Sequence, residues 1–139
     1  MLIYVSVKSI GKVKRGVKSI PFYLERPPRT LRELVRETVL SCVSSYKKRG
    51  EDGGDQFPLT EEEYAAMTET GRFAFGVHYN DAEVDAEKAV MVAVEAVRDG
   101  LVRIFNGDLE YTELDGEINL SEGDTLTFVR LVMLSGRMW

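Results

Sequence analysis

Apolar and polar residues alternate from the first residues of the chain. Ile3, Val5 and Val7 interleave with Tyr4, Ser6 and Lys8, a period of two that predicts a half-buried first strand. Lys8, Lys12, Lys14, Arg15 and Lys18 surround Gly11 and Gly16, the composition of a solvated hairpin loop. A second strand follows from Val17 to about Leu24. Pro21 lies within it, which moves it to a sheet edge or implies a bulge, because proline donates nothing to a ladder. Arg26-Pro27-Pro28-Arg29 then reads as an extended connector.

The period changes after Thr30. Leu31, Leu34, Val35, Thr38, Val39, Cys42, Val43 and Tyr46 recur at three- and four-residue intervals, the single apolar stripe of an amphipathic helix. Thr30 and Glu33 have capping-box spacing, so each side chain can answer the other's backbone amide. Lys47, Lys48 and Arg49 suit the negative end of the helix dipole, and Gly50 suits the position beyond it.

Residues 50–58 are acidic, glycine-rich loop. Thr60 and Glu63 repeat the capping box before a short helix ending near Gly71, and Phe73, Phe75 and Val77 alternate as a short strand would. Asp85 is placed to cap a further helix reaching about Arg98, with Gly100 just beyond it. Its valines favour it little, so packing must stabilise it.

The stretch from Leu101 to Leu134 carries the densest set of agreeing signals. Asn106-Gly107 and Asp115-Gly116 suit turns that need positive φ, and Ser121-Glu122-Gly123-Asp124 makes a third turn between apolar runs, with strands near 101–105, 108–112 and 125–134. Leu126, Phe128, Val132 and Leu134 form one apolar face of the last strand, and Val129, Leu131 and Met133 the other. A strand apolar on both faces is expected to be buried on both sides and to lie in the middle of a sheet. Its natural neighbour is the first strand, running parallel, with the first helix crossing one face.

Composition adds little to this picture, and charge adds more. The 139 residues suit one domain, and no apolar run approaches the roughly 18 residues that span a bilayer. The start of the chain reads as a strand, without the charged region and cleavage site of a signal peptide. Cys42 is the sole cysteine, which rules out a disulfide within the chain and favours a reducing compartment. The expectation is a cytoplasmic protein. The net charge of −5 conceals +9 over residues 1–50 and −14 over residues 51–139. Either the two halves fold against and neutralise each other, or Lys12, Lys14, Arg15 and Lys18 form a basic surface for an acidic partner. Few aromatics lie among those charges, so nucleic acid is not the expected partner.

The order of elements resembles the β-grasp, or ubiquitin-like, fold. Residues 1–48 correspond to its opening hairpin and helix, and residues 101–134 to its closing strands. Residues 49–100 would be a helical insertion within a single α+β domain spanning 1–139. Ile104-Phe105-Asn106-Gly107-Asp108, followed by Leu120 and Glu122-Gly123-Asp124-Thr125-Leu126, is similar to the closing section of sulfur-carrier proteins. Those include the small subunit of molybdopterin synthase and the thiamin sulfur carrier. That resemblance implies a reactive terminal Gly-Gly. Here the chain instead reads Leu134-Ser135-Gly136-Arg137-Met138-Trp139. Gly136 either ends the last strand or becomes a conjugation site after trimming.

Other candidates for chemistry are sparse. His78 stands in the least regular segment, without an evident nucleophile or orienting acid beside it in sequence. Cys42 falls on the helix stripe, where a small buried hydrophobe is expected. Glu61-Glu62-Glu63 and Asp81, Glu83, Asp85 and Glu87 lack the spacing of an EF-hand loop, and no phosphate-binding glycine loop is present. No metal and no cofactor are expected. Trp139, after Arg137 and Met138, either folds back on the domain or anchors a partner.

The sequence therefore leads to a non-enzymatic ubiquitin-like interaction module. It would use Leu131 and Met133 on its last strand and Arg137, Met138 and Trp139 in its tail to bind a protein partner. The alternative is a modifier or sulfur carrier activated at Gly136.

Overall fold

The computed structural model describes residues 1–10, 16–49 and 85–131. The expected helix over 60–71 and strand over 73–77 lie outside those residues. So do Lys12, Lys14, Arg15, His78, Met133, Gly136, Arg137, Met138 and Trp139. The described elements are β1 (Leu2–Ile10), β2 (Gly16–Tyr23), α1 (Leu31–Arg49), α2 (Ala86–Arg98), β3 (Val102–Asn106), β4 (Leu109–Tyr111) and β5 (Thr125–Leu131). The strands form one open mixed sheet in the order β2-β1-β5-β3-β4. β1 and β5 run parallel at its centre, and β2, β3 and β4 join by antiparallel pairings. The architecture is α+β, with two helices packed on that sheet.

Inward-facing strand residues and the apolar stripes of both helices make a single core. Ile3, Val5 and Val7 of β1 meet Phe22 of β2, Val102 and Ile104 of β3, and Leu126 and Phe128 of β5. The α1 stripe of Leu31, Leu34, Val35, Thr38, Val39, Cys42 and Val43 is buried, as is Val90-Ala93-Val94 of α2. Thr38, the one polar residue of this set, donates its hydroxyl to the Leu34 carbonyl at 2.7 Å, so no polar atom is stranded there.

Both helix starts follow their capping signals. Glu33 donates its amide to Thr30 Oγ1 at 3.2 Å, and Glu33 Oε2 accepts from the Thr30 and Arg29 amides at 3.1 and 2.7 Å. Asp85 Oδ1 accepts from the Lys88 amide at 3.1 Å. The end of α2 closes with Gly100 donating to Val97 and Leu101 to Ala96, the paired bonds that satisfy the last carbonyls.

Pro21 sits where its missing donor is harmless. The Leu24 amide donates to Met1, so by antiparallel alternation Phe22 and Ile20 face β1 and Pro21 points its nitrogen away from it. β2 is the sheet edge, and its bulge falls at Lys18–Ser19 opposite Ser6. The asymmetry expected of proline is therefore met by position, with the bulge displaced two residues.

Two glycines of the closing half do different work. Gly123 adopts φ 85°, and Asp124 donates to the Ser121 carbonyl at 3.0 Å, the arrangement of a turn needing a left-handed residue third. Gly116, expected to serve the same purpose, does not have positive φ. An added Cβ there would stand 2.9 Å from Glu113 Cβ, so Gly116 is required by close approach.

Candidate functional site

Alternation along the strands fixes what lies on the sheet face opposite the core. With Val5, Val7, Phe22, Ile104 and Phe128 turned to the helices, the other face receives Tyr4, Ser6 and Lys8 from β1, Pro21 and Tyr23 from β2, Thr127, Val129 and Leu131 from β5, and Arg103 and Phe105 from β3. Register sets these in rows across the sheet. Ser6, Thr127, Phe105 and Glu110 make one row over four strands. Lys8, Val129 and Arg103 make the next, and Ile10 pairs with Leu131 beyond them.

This face is covered far less than its counterpart. Leu126 and Phe128 are 0% exposed, whereas Thr127, Val129 and Leu131 between and beyond them are half-buried. The expectation that β5 is buried on both sides is thus met on one side only. Lys8 and Arg103 are exposed and flank Val129 from both sides. Among the described residues neither forms an ion pair.

The closing turns fasten this face in place. The Gly123 amide donates to the Leu2 carbonyl and the Tyr4 amide to the Asp124 carbonyl, both at 2.8 Å. The Leu2 amide donates to Glu122 Oε2 at 2.8 Å. Asn106 Nδ2 donates to Asp124 Oδ2 at 3.1 Å and to the Tyr111 hydroxyl at 3.0 Å. Asn106 is the last residue of β3, and the two-residue loop is Gly107–Asp108, with Gly107 at φ 62°. Asn106 therefore ties the hairpin to the turn before β5.

The segment 112–120 serves the other side of the molecule, where it closes over the start of α1. Leu31 and Arg32 donate their free amides to the Gly116 and Leu114 carbonyls, and the Ile118 amide donates to Arg29. The helix start is consumed by the chain's own groups and offers no vacant donors to an anion. Arg32 grips Asp115 through two hydrogen bonds, Nε at 2.9 Å and Nη2 at 3.3 Å. Arg36 grips Glu87 of α2 at 2.9 and 2.7 Å. Those hydrogen bonds, and then the arginine charge, hold the Asp115 and Glu87 carboxyls below their ordinary range.

Both pairs join an arginine of the basic half to a carboxylate of the acidic half. They are points at which the two halves neutralise each other. Their side chains stay largely in water, so they orient surfaces more than they stabilise them.

Of the residues singled out from the sequence, Leu131 lies on the open face at the end of β5 and Lys18 lies in β2. Cys42 is wholly buried in the core, as its place on the helix stripe suggested. Tyr4, Lys8, Phe105, Arg103 and Val129 were not singled out. Their signal was strand parity, readable only once the helix-covered face is known. No described helix is long and apolar enough to cross a membrane, and the described residues contain no cluster of metal-ligating side chains. A scan of family models, a search of curated proteins and a search of solved structures each return no match to this chain.

Proposed function

We propose that this chain is a β-grasp, ubiquitin-like interaction module without catalytic activity, which binds a protein partner through the open face of its sheet and its C-terminal tail. The observation that carries this reading is the contrast between the two sheet faces. One is sealed by both helices, and the other presents Tyr4, Phe105, Val129 and Leu131 half-buried beside exposed cations. Half-covered aromatic and aliphatic side chains rimmed by charge are the makings of a recognition surface. The fold half of the proposal is supported by the strand order β2-β1-β5-β3-β4 with its parallel central pair.

A photo-cross-linking residue replacing Val129, in the full chain in its native host, tests the surface. The control replaces Met91, which is 58% exposed on the outer side of α2. A discrete protein adduct from position 129 and none from 91 is expected, and removing residues 135–139 should lower its yield. Equal adducts from both positions, or none from 129, would overturn the assignment.

The second reading is a modifier or sulfur carrier activated at Gly136. In its favour is the Asn106–Asp124 hydrogen bond, which joins the Asn-Gly and Gly-Asp turns of the resemblance. That bond also supplies a purely structural reason for the two turns to occur together, so it supports the fold more than the chemistry. Intact mass of the protein from its host separates the readings. A chain ending at Gly136, or joined to other proteins, favours the carrier; a full-length unconjugated chain removes it.

A further inference from the structure

The open face carries a charge pattern specific enough to name its partner's chemistry. Lys8 on β1 and Arg103 on β3 are both register partners of Val129 on β5. Their strands stand two interstrand spacings apart, about 10 Å. Val129 lies on the strand between them, with Phe105 and Thr127 in the adjoining row and Leu131 beyond. The carboxylate that the described residues bring to this face is Glu110, at the β4 margin beside Phe105. The centre of the face is therefore an aliphatic seat between two cations.

The sheet edges compete poorly for the same role. Pairing a new strand onto an edge needs an unbroken row of free backbone donors and acceptors. At β2 that row is interrupted by Pro21, whose nitrogen points outward and carries no hydrogen. At β4 the strand is three residues long, Leu109–Tyr111, and its middle residue is charged. Recognition falls to side chains on the face.

The geometry points to a partner segment with an aliphatic residue flanked on both sides by carboxylates, seated on Val129 with its acids against Lys8 and Arg103. This inference rests on the reading of the open face as the interaction surface, and adds the chemistry of what sits there.

The probe is a blocked peptide, Asp-Glu-Leu-Val-Ile-Asp-Glu, titrated into the full chain at low salt and followed by backbone-amide NMR. Two controls share its aliphatic core, one with Asn and Gln for the acids and one with Lys. The expected result is a set of shifts centred on Lys8, Arg103 and Val129 for the acidic peptide. Combined Lys8→Glu and Arg103→Glu should weaken it about tenfold and strengthen the Lys peptide. Raising the salt to about 0.5 M should weaken the acidic peptide and leave the amide control unchanged. If acidic and amide peptides bind the face equally, the charge inference falls and the interaction face survives. If no peptide shifts the face, or the acidic one shifts only α2, both fall. Unchanged amide spectra of the variant away from the substituted positions would show that any loss is not unfolding.

Discussion

Leu126 and Phe128 look towards α1 and α2 and are wholly buried, while Thr127 and Val129, one residue along the same strand, keep part of their surface in water. Both sets sit in the same two ladders, with β5 parallel to β1 on one side and antiparallel to β3 on the other. The difference comes entirely from what lies above and below the sheet. An apolar residue in a central strand thus reports that the strand is central, without reporting which of its faces the fold has sealed. That distinction separates residues that hold the molecule together from those free to hold something else.

The contrast is broken most forcefully at Phe128. Phe128→Ala should cost about 3–5 kcal/mol, because a wholly buried ring leaves a cavity between the sheet and the helices. Val129→Ala, one position on, should cost about 1 kcal/mol or less, since part of its surface is already in water. Urea denaturation midpoints of the two variants measure the difference directly, and comparable losses would mean the open face is as much core as the other.

The next test acts on the turn that sets both faces in register. Gly123→Ala forces a side chain into φ 85° and should destabilise by about 1–2 kcal/mol. Amide exchange should quicken at Leu2 and Tyr4, whose backbone groups bond to this turn. Thr30→Ala weakens only the helix that seals the inner face. It removes the hydroxyl bonded to the Glu33 amide and should lower stability by about 1 kcal/mol in the same denaturation assay, with no change in amide shifts at Lys8 or Arg103.

The smallest effect is electrostatic. Asp115 and Glu87 are held below their ordinary carboxyl values in the folded chain by Arg32 and Arg36. Stability from the two pairs is fully present above the ordinary carboxylate range, about pH 4. As pH falls through that range the unfolded chain takes up protons first, so this contribution is lost progressively until the folded carboxyls protonate too. A chain carrying Asp115→Asn and Glu87→Gln should lose stability less steeply below that range than the parent. Added salt should shrink the difference, because both pairs are exposed.

What the sequence made legible follows the range of each physical cause. The α1 stripe, the Thr30–Glu33 box, the Asp85 cap and the 121–124 turn are local, set by residues three or four apart, and each is found where its pattern places it. The edge position of β2 was legible too, because proline carries its constraint in its own ring. The parallel pairing of β1 with β5 could be reasoned from their apolar character, since each needed a neighbour. The role of Gly116 was misread as a backbone requirement, because crowding against Glu113 is a matter of three-dimensional approach that turn chemistry does not encode. The ion pairs Arg32–Asp115 and Arg36–Glu87 bridge 83 and 51 residues and leave no periodic trace. For the same reason the open-face set of Tyr4, Lys8, Arg103, Phe105 and Val129 was invisible beforehand. These residues belong together only through the sheet order; the strand pattern placed Val129 on one face with Leu131, but not the β1 and β3 residues that join them there.

The unequal covering of the two sheet faces is the claim on which the functional reading stands, and methyl NMR with a soluble gadolinium chelate measures it most directly. The account predicts strong paramagnetic broadening of the Val129 and Leu131 methyls and little at Val5, Val7, Ile104 and Leu126. Equal protection of both sets would contradict it, for the open face would then be closed by the chain itself and have nothing to offer a partner.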